Sequence, residues 1–185
     1  MGTGQMIITI GAMILLGNLI LTANRGINNI QQTMLQSGYD LDAVSLARST
    51  IEKAQDLPFD RHTMDSTWVN SLSQLTPPGS LGQESSTGDT LNDYDDYNGH
   101  QHGRVEIDTV NANGLLYSIY KDSTAVQYVT RASNGTMQPS PSAATWSKEL
   151  DVYVWKYEPN APKSVQASDS AASFVHMFDV YSYWY

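Results

Sequence analysis

The chain contains no cysteine, so a disulfide framework, a thiolate metal site and a thiol nucleophile are all excluded. Basic residues are scarce: ten Lys and Arg stand against nineteen Asp and Glu, for a net charge of −9. A nucleic-acid interface needs a basic face to neutralise phosphate, and no such face is available, so no nucleic-acid partner is expected. Anionic lipid headgroups are disfavoured for the same reason. Charge of either sign is thin, at 16% of residues. No nucleophile elbow, P-loop or HExxH motif occurs. A Ser–His–Asp set can be assembled from any chain this rich in serine, so that combination carries no information. What remains is a polar, largely uncharged chain rich in Ser, Thr, Asn and Gln, with eleven tyrosines, a composition common in extracytoplasmic assemblies. Its 185 residues suffice for one domain with an adequate core. No enzymatic activity is expected.

Residues 6–23 read MIITIGAMILLGNLILTA, eighteen positions without a charge. That length is at the lower edge for a bilayer-spanning helix. A secretory signal peptide needs a basic start, a shorter apolar stretch and a small-x-small cleavage site. No Lys or Arg precedes the run, and Leu21-Thr22-Ala23-Asn24-Arg25 is a poor cleavage site, so the segment is expected to remain in the mature protein. Arg25 lies on the C-terminal flank, where the positive-inside bias opposes export of the rest of the chain. Gly11, Gly17 and Asn18 interrupt the run and Gly26 follows it. Each glycine weakens a helix by about 1 kcal/mol relative to alanine, and small residues also let helices approach closely.

The helical pattern continues past Arg25. Ile27, Ile30, Met34, Leu41, Val44 and Ile51 recur at spacings of three, four and seven, with Ala47 and Ala54 on nearby positions. Gly38 weakens the middle, and Pro58 disfavours the helical conformation at Leu57. The spacing predicts one helix over residues 6–57, roughly 75 Å long at 1.5 Å per residue. Its first half is apolar all round and its second half is amphipathic. The first therefore needs a membrane or a bundle of neighbours, and the second needs one side covered by its own domain.

An apolar N-terminal helix that continues as an amphipathic one and leads into a β-rich head resembles the type IV pilin and pseudopilin superfamily. The stretch Ser45-Leu46-Ala47-Arg48-Ser49-Thr50-Ile51-Glu52-Lys53-Ala54-Gln55-Asp56-Leu57-Pro58-Phe59-Asp60 is similar to the end of the first helix in many minor pilins and pseudopilins. Members usually carry glutamate as the fifth residue of the mature chain. Here that position is Gln5, or Thr9 if a leader is cleaved after Gly4, so the usual charge is missing.

The resemblance implies a structural subunit of an extracellular filament, held in the membrane before assembly and handled there by inner-membrane assembly machinery. In the filament, identical subunits form a homopolymer through their N-terminal helices. Gln5, Ile7, Ile8, Ile10, Met13, Ile14, Leu15, Leu16, Leu19, Ile20 and Leu21 would make the helix-to-helix contacts. Burying a Leu or Ile side chain contributes about 1.5–3 kcal/mol, and a head-to-tail contact whose rotation never closes gives an open helical polymer. The alternatives are a minor pilin or pseudopilin of a secretion or adhesion apparatus, and a membrane-anchored calcium- or carbohydrate-binding module.

The rest of the chain, residues 58–185, is expected to be the head. Residues 60–102 are loop-like, with Pro77-Pro78-Gly79-Ser80, Gly82 and Gly88. Strands are expected over 103–110, 115–121, 125–131, 149–157 and 174–184. Turns are expected at 111–114 and 121–124, and exposed loops over 139–147 and 159–172. Leu150, Val152 and Val154 share one face of their strand. The terminal Tyr181-Ser182-Tyr183-Trp184-Tyr185 reads as a last strand filling core. The expected fold is α+β, the long helix packed on a mainly antiparallel sheet of four or five strands.

Asp93, Asp95, Asp96 and Asn98 place four oxygen-bearing side chains within six residues, next to Gly99. Hard cations such as Ca²⁺ take six to eight oxygen ligands from loops of this kind. The EF-hand spacing is not met, and a solvated acidic turn fits the same residues. His100-Gln101-His102 lacks a further ligand pattern, and with His62 and His176 these read as ordinary histidines. Asn134-Gly135-Thr136 matches the N-glycosylation acceptor at a surface turn.

Overall fold

The computed structural model describes residues 2–64, 68–83, 91–111, 114–157 and 174–183, with the backbone alone across 102–111 and 114–118. One helix, α1, runs over Thr3–Gln55. No proline precedes Pro58, so nothing removes a backbone donor anywhere along it. It ends two residues short of the expected Leu57, on a tightened turn in which Leu57 N–H donates to Ala54 O at 3.2 Å.

Among the described residues five strands follow: β1 Gln101–Asn111, β2 Gly114–Arg131, β3 Met137–Pro139, β4 Ser147–Tyr157 and β5 Phe174–Ser182. They form an antiparallel sheet in the order β1-β2-β4-β5, and the short β3 pairs with the far end of β2. The α+β fold class expected from the sequence is the one observed. Residues 159–172, Gly88, Trp184 and Tyr185 lie outside the described residues, as does the side chain of His102.

The largest departure concerns Lys121-Asp122-Ser123-Thr124, expected as a turn between two strands. These residues continue a single strand, β2. They pair on one side with β1, where Gln101 faces Ser123, and on the other with β4, where Asp122 faces Val154. The side chains that suggest a turn are satisfied inside the sheet. Thr124 Oγ1 donates to the carbonyls of Tyr97 and His100, and Lys121 Nζ lies 3.8 Å from the ring centroid of Tyr157. Tertiary partners override the local preference.

By contacts the chain divides into two compact units, Met1–Leu41 and Asp42–Tyr185, with the boundary inside α1. In the second unit the last turns of α1 bury Ala43, Leu46, Ala47, Thr50, Ile51 and Ala54. This stripe recurs at three and four residues and is dominated by small side chains, which let the helix come close to the sheet. The stripe is rotated from the expected one, because Leu41 and Val44 are exposed. Tyr120 of β2 donates to Asp42 Oδ2 at 3.3 Å, and Gln55 Nε2 donates to Asp179 Oδ2 of β5 at 2.8 Å. These two bonds carry the helix segment 42–55 across the strands from β2 to β5. Val126 of β2 and Leu150, Val152 and Val154 of β4 are all buried.

Beyond the helix the same sheet face is covered by residues 58–64, 68–83 and 91–100. Phe59, Val69, Leu75 and Tyr128 form a core there, with Trp146, Tyr181 and Tyr183 packed against it. Phe59 meets both Tyr181 of β5 and Tyr183 just beyond it at 5.7 Å between ring centroids, so these two of the terminal aromatics pack on core. Among the described residues of 60–100 the loop character holds, relieved by short 3-10 turns at Arg61–Thr63, Leu72–Gln74, Pro78–Ser80 and Asp95–Tyr97, whereas Gln101 and His102 already belong to β1.

Candidate functional site

Two features stand out, one in each unit. In the first, α1 exposes its apolar side chains. Ile8, Met13 and Leu15 keep more than 70% of their surface, and Ile7, Ile10, Ile14, Leu16, Leu19, Ile20 and Leu21 keep about half or more. Gln5 is exposed near the start of the helix. Among the described residues, a Cβ added at Gly11, Gly17, Gly26 or Gly38 finds nothing within 4 Å beyond its own stretch of helix. The helix is long and apolar enough to cross a membrane, and among the described residues none of its apolar window is buried. Within this stretch Thr9 and Thr22 donate to carbonyls one turn back.

The second feature is a buried charge cluster in the head. Strand β4 points Lys148, Leu150, Val152 and Val154 inward, each with 1% or less of its surface exposed. Register places Lys148 in one row with Tyr128 of β2 and Tyr181 of β5. Its Nζ donates to Phe59 O at 2.7 Å, Asp95 Oδ1 at 2.8 Å and Asp60 Oδ2 at 3.2 Å. The same nitrogen lies 4.4 Å from the ring centroid of Phe59 and 5.3 Å from that of Tyr128. Three donors thus meet three oxygens in a site walled by aromatic rings.

The carboxylates around it have distinct roles. Asp60 Oδ1 accepts from His62 N–H at 3.1 Å and meets His62 Nδ1 at 2.8 Å, while Oδ2 also accepts from Thr76 N–H at 2.9 Å. Burial alone would raise its pKa, but the Lys148 charge and these hydrogen bonds outweigh that and hold it down at about 2. Asp93 is the opposite case. Burial, then the charges of Asp95 and Asp96, push it up to about 7. Asp95 is also raised, by burial first, against the pull of Lys148. Asp93 and Asp95 share a hydrogen bond. One buried ammonium cannot balance three ionised carboxylates in a low dielectric, so a proton stays on the Asp93–Asp95 pair.

The four residues expected as calcium ligands are therefore engaged with protein groups. Asp95 faces Lys148. Asp96 Oδ2 accepts from Asn92 and Asp93 N–H at 2.8 and 3.3 Å, and Asp93 Oδ1 accepts from Asp96 N–H at 3.1 Å. Asn98 donates to Leu81 O and accepts from Val126 N–H, each at 3.0 Å. Among the described residues, no group of three or more His, Asp or Glu side chains is placed to hold a metal ion. The acidic run folds inward because Asp93, Asp96 and Asn98 each accept from a backbone N–H and Asp95 accepts from Lys148. It is a buried network rather than the solvated turn its composition suggests.

Lys148 itself was within reach of sequence reasoning. Extending the two-residue alternation back from Leu150 puts Lys148 on the inward face, and a lysine on that face requires buried acids. The remaining expected sites are simpler. Asn134 is exposed at a turn, and its Oδ1 accepts from Thr136 N–H and Oγ1 at 3.0 and 2.7 Å. His176 Nε2 pairs with Asp151 Oδ1 at 2.7 Å and stacks on Tyr153 at 4.5 Å between centroids.

An apolar N-terminal helix whose last turns pack on a four-stranded antiparallel sheet is a pilin-like architecture. Compared with protein-family models, curated proteins and solved structures, the chain has no significant match.

Proposed function

We propose that the protein is a structural subunit of an extracellular, type IV pilus-like filament, without enzymatic activity. The observation that carries this reading is the exposure of the large apolar side chains along the first part of α1. Ten and more large aliphatic side chains left in water are unfavourable by about 1.5–3 kcal/mol each, so the helix needs lipid or other helices around it. Lipid serves before assembly, and the helices of identical subunits serve afterwards. The absence of glutamate at Gln5 or Thr9 fits a polymer whose register is set by shape and apolar packing rather than by an ion pair with the neighbour's terminal amine.

Electron microscopy of cell-surface shearings, with mass spectrometry of the recovered fibres, tests the proposal. Fibres built mainly of this chain support it. A protein recovered only as membrane-bound single chains refutes it and leaves the anchored-module alternative. Scarce but fibre-associated chain identifies a minor subunit instead.

A further inference from the structure

From the geometry around Lys148 we infer that the head forms an internal covalent cross-link, an isopeptide bond between Nζ of Lys148 and Cγ of Asp95, with release of one water. The inference goes beyond the filament reading and stands whether or not the chain polymerises.

Nζ of Lys148 already sits 2.8 Å from Oδ1 of Asp95, and both side chains are essentially without solvent contact. An amine held against a carboxyl in fixed orientation reacts as if at very high local concentration. The rings of Phe59 and Tyr128 close the site on two sides. Such a wall disfavours the separated charges of an ammonium–carboxylate pair relative to a neutral amide.

The flanking acids divide the work. Asp60, 3.2 Å from Nζ, is fixed in its ionised form by Thr76 and His62, which makes it a proton acceptor and a poor electrophile. Asp93, hydrogen-bonded to Asp95, is the proton donor. Asp60 takes one proton from the Lys148 ammonium, and the freed lone pair attacks Cγ of Asp95 to form the Nζ–Cγ bond. A Cγ–O bond then breaks. That oxygen leaves as water, carrying the proton given by Asp93 and a second proton from nitrogen. The third nitrogen proton remains on the new amide. With the Lys148 charge consumed, the flanking acids Asp60 and Asp93 share one proton between them, as they did at the start, the one Asp60 took up replacing the one Asp93 gave. No oxidant, reductant or further reactant is needed.

The bond would join the 3-10 turn Asp95–Tyr97 to β4 in the middle of the sheet, closing the chain between them into a loop. In a protein without cysteine, it would do what a disulfide does elsewhere.

The test is mass spectrometry of the full-length chain purified folded in detergent. The expected mass is one water below that of the sequence. Tryptic digestion should give a branched peptide joining the segments of Lys148 and Asp95, with no cleavage after Lys148. The Lys148→Arg and Asp95→Ala variants should keep the full mass, and Asp93→Ala should lower the cross-linked fraction at least tenfold. Full mass with normal cleavage after Lys148, in folded wild-type chain incubated at neutral pH, overturns the inference. Loss of water confined to a linear peptide, as from a succinimide, overturns it equally. Because wild type decides the matter, a variant that fails to fold does not rescue it.

Discussion

The ammonium of Lys148 donates to the backbone carbonyl of Phe59 at 2.7 Å and sits 4.4 Å from the centroid of the same residue's ring. A single residue just after α1 thus both binds and roofs the only lysine buried among the described residues. In chain that has not formed the Lys148–Asp95 bond, substituting Lys148 by Met strips Asp60 and Asp95 of their counter-charge inside the core. The expected loss is about 3–5 kcal/mol, the usual result of removing one partner of a buried pair. Urea unfolding of the detergent-solubilised chain measures it. A loss near zero would mean that water reaches the site.

The stability of the ion-paired chain should depend on pH through two opposed carboxyls. Asp93 keeps its proton to about pH 7 when folded, against an ordinary value of 3.8. The folded chain therefore binds more protons across that window, and stability falls as pH rises from 3.8 to about 7, then levels off. Asp60, held at about 2, contributes stability present above 3.8 and lost as pH falls through about 2. Asp93→Asn should flatten the neutral limb and stabilise the chain at pH 8 by on the order of 1–3 kcal/mol. Unfolding midpoints across pH check the sign.

Ala47 and Ala54 are fully buried on the helix stripe, where larger side chains have no room. Ala47→Leu should cost about 1–3 kcal/mol by overpacking. The conservative Ala47→Ser tests space separately from polarity. Thermal unfolding distinguishes the two, and a neutral Leu variant would contradict the close approach of helix and sheet.

In the other unit, Leu16→Asp or Leu19→Asp should abolish fibres and leave the head folded, because both side chains are exposed and touch no core. A charge within a helix bundle or membrane costs several kcal/mol. Fibres of normal yield from both variants, counted by electron microscopy, would contradict the packing argument.

Asp96 caps the backbone of Asn92 and Asp93. Asp96→Ala should lose about 0.5–2 kcal/mol, as loss of a backbone cap does. The comparison to make is between calcium and chelator. Equal losses identify a cap, and a loss confined to calcium assigns the loop to the cation.

Much of this arrangement was legible in the residues. Eighteen uncharged positions followed by a three-and-four periodicity define α1 and divide it into two parts of different need, because the helical period is strict and the apolar residues are large. The alternation of Leu150, Val152 and Val154 gives β4 for the same reason. What failed were judgements that depend on distant partners. Lys121-Asp122-Ser123-Thr124 has the chemistry of a turn, and only β1 and β4 on either side make it a strand. The acidic run from Asp93 to Asn98 has the chemistry of a wet loop. The partner that draws it inward, Lys148, is 53 residues along the chain from Asp95, and no local pattern connects them.

Asn98 holds two elements at once: its amide nitrogen serves the Leu81 carbonyl and its oxygen serves the Val126 N–H. Gly99, next in sequence, adopts a left-handed conformation with φ of 75°. Asparagine before glycine is the sequence most prone to deamidation in ageing proteins, and here the engaged amide is the group that would be lost. Conversion to a carboxylate would turn a donor into an acceptor facing a carbonyl, so the clamp that fixes this loop to β2 also sets how gracefully the head grows old.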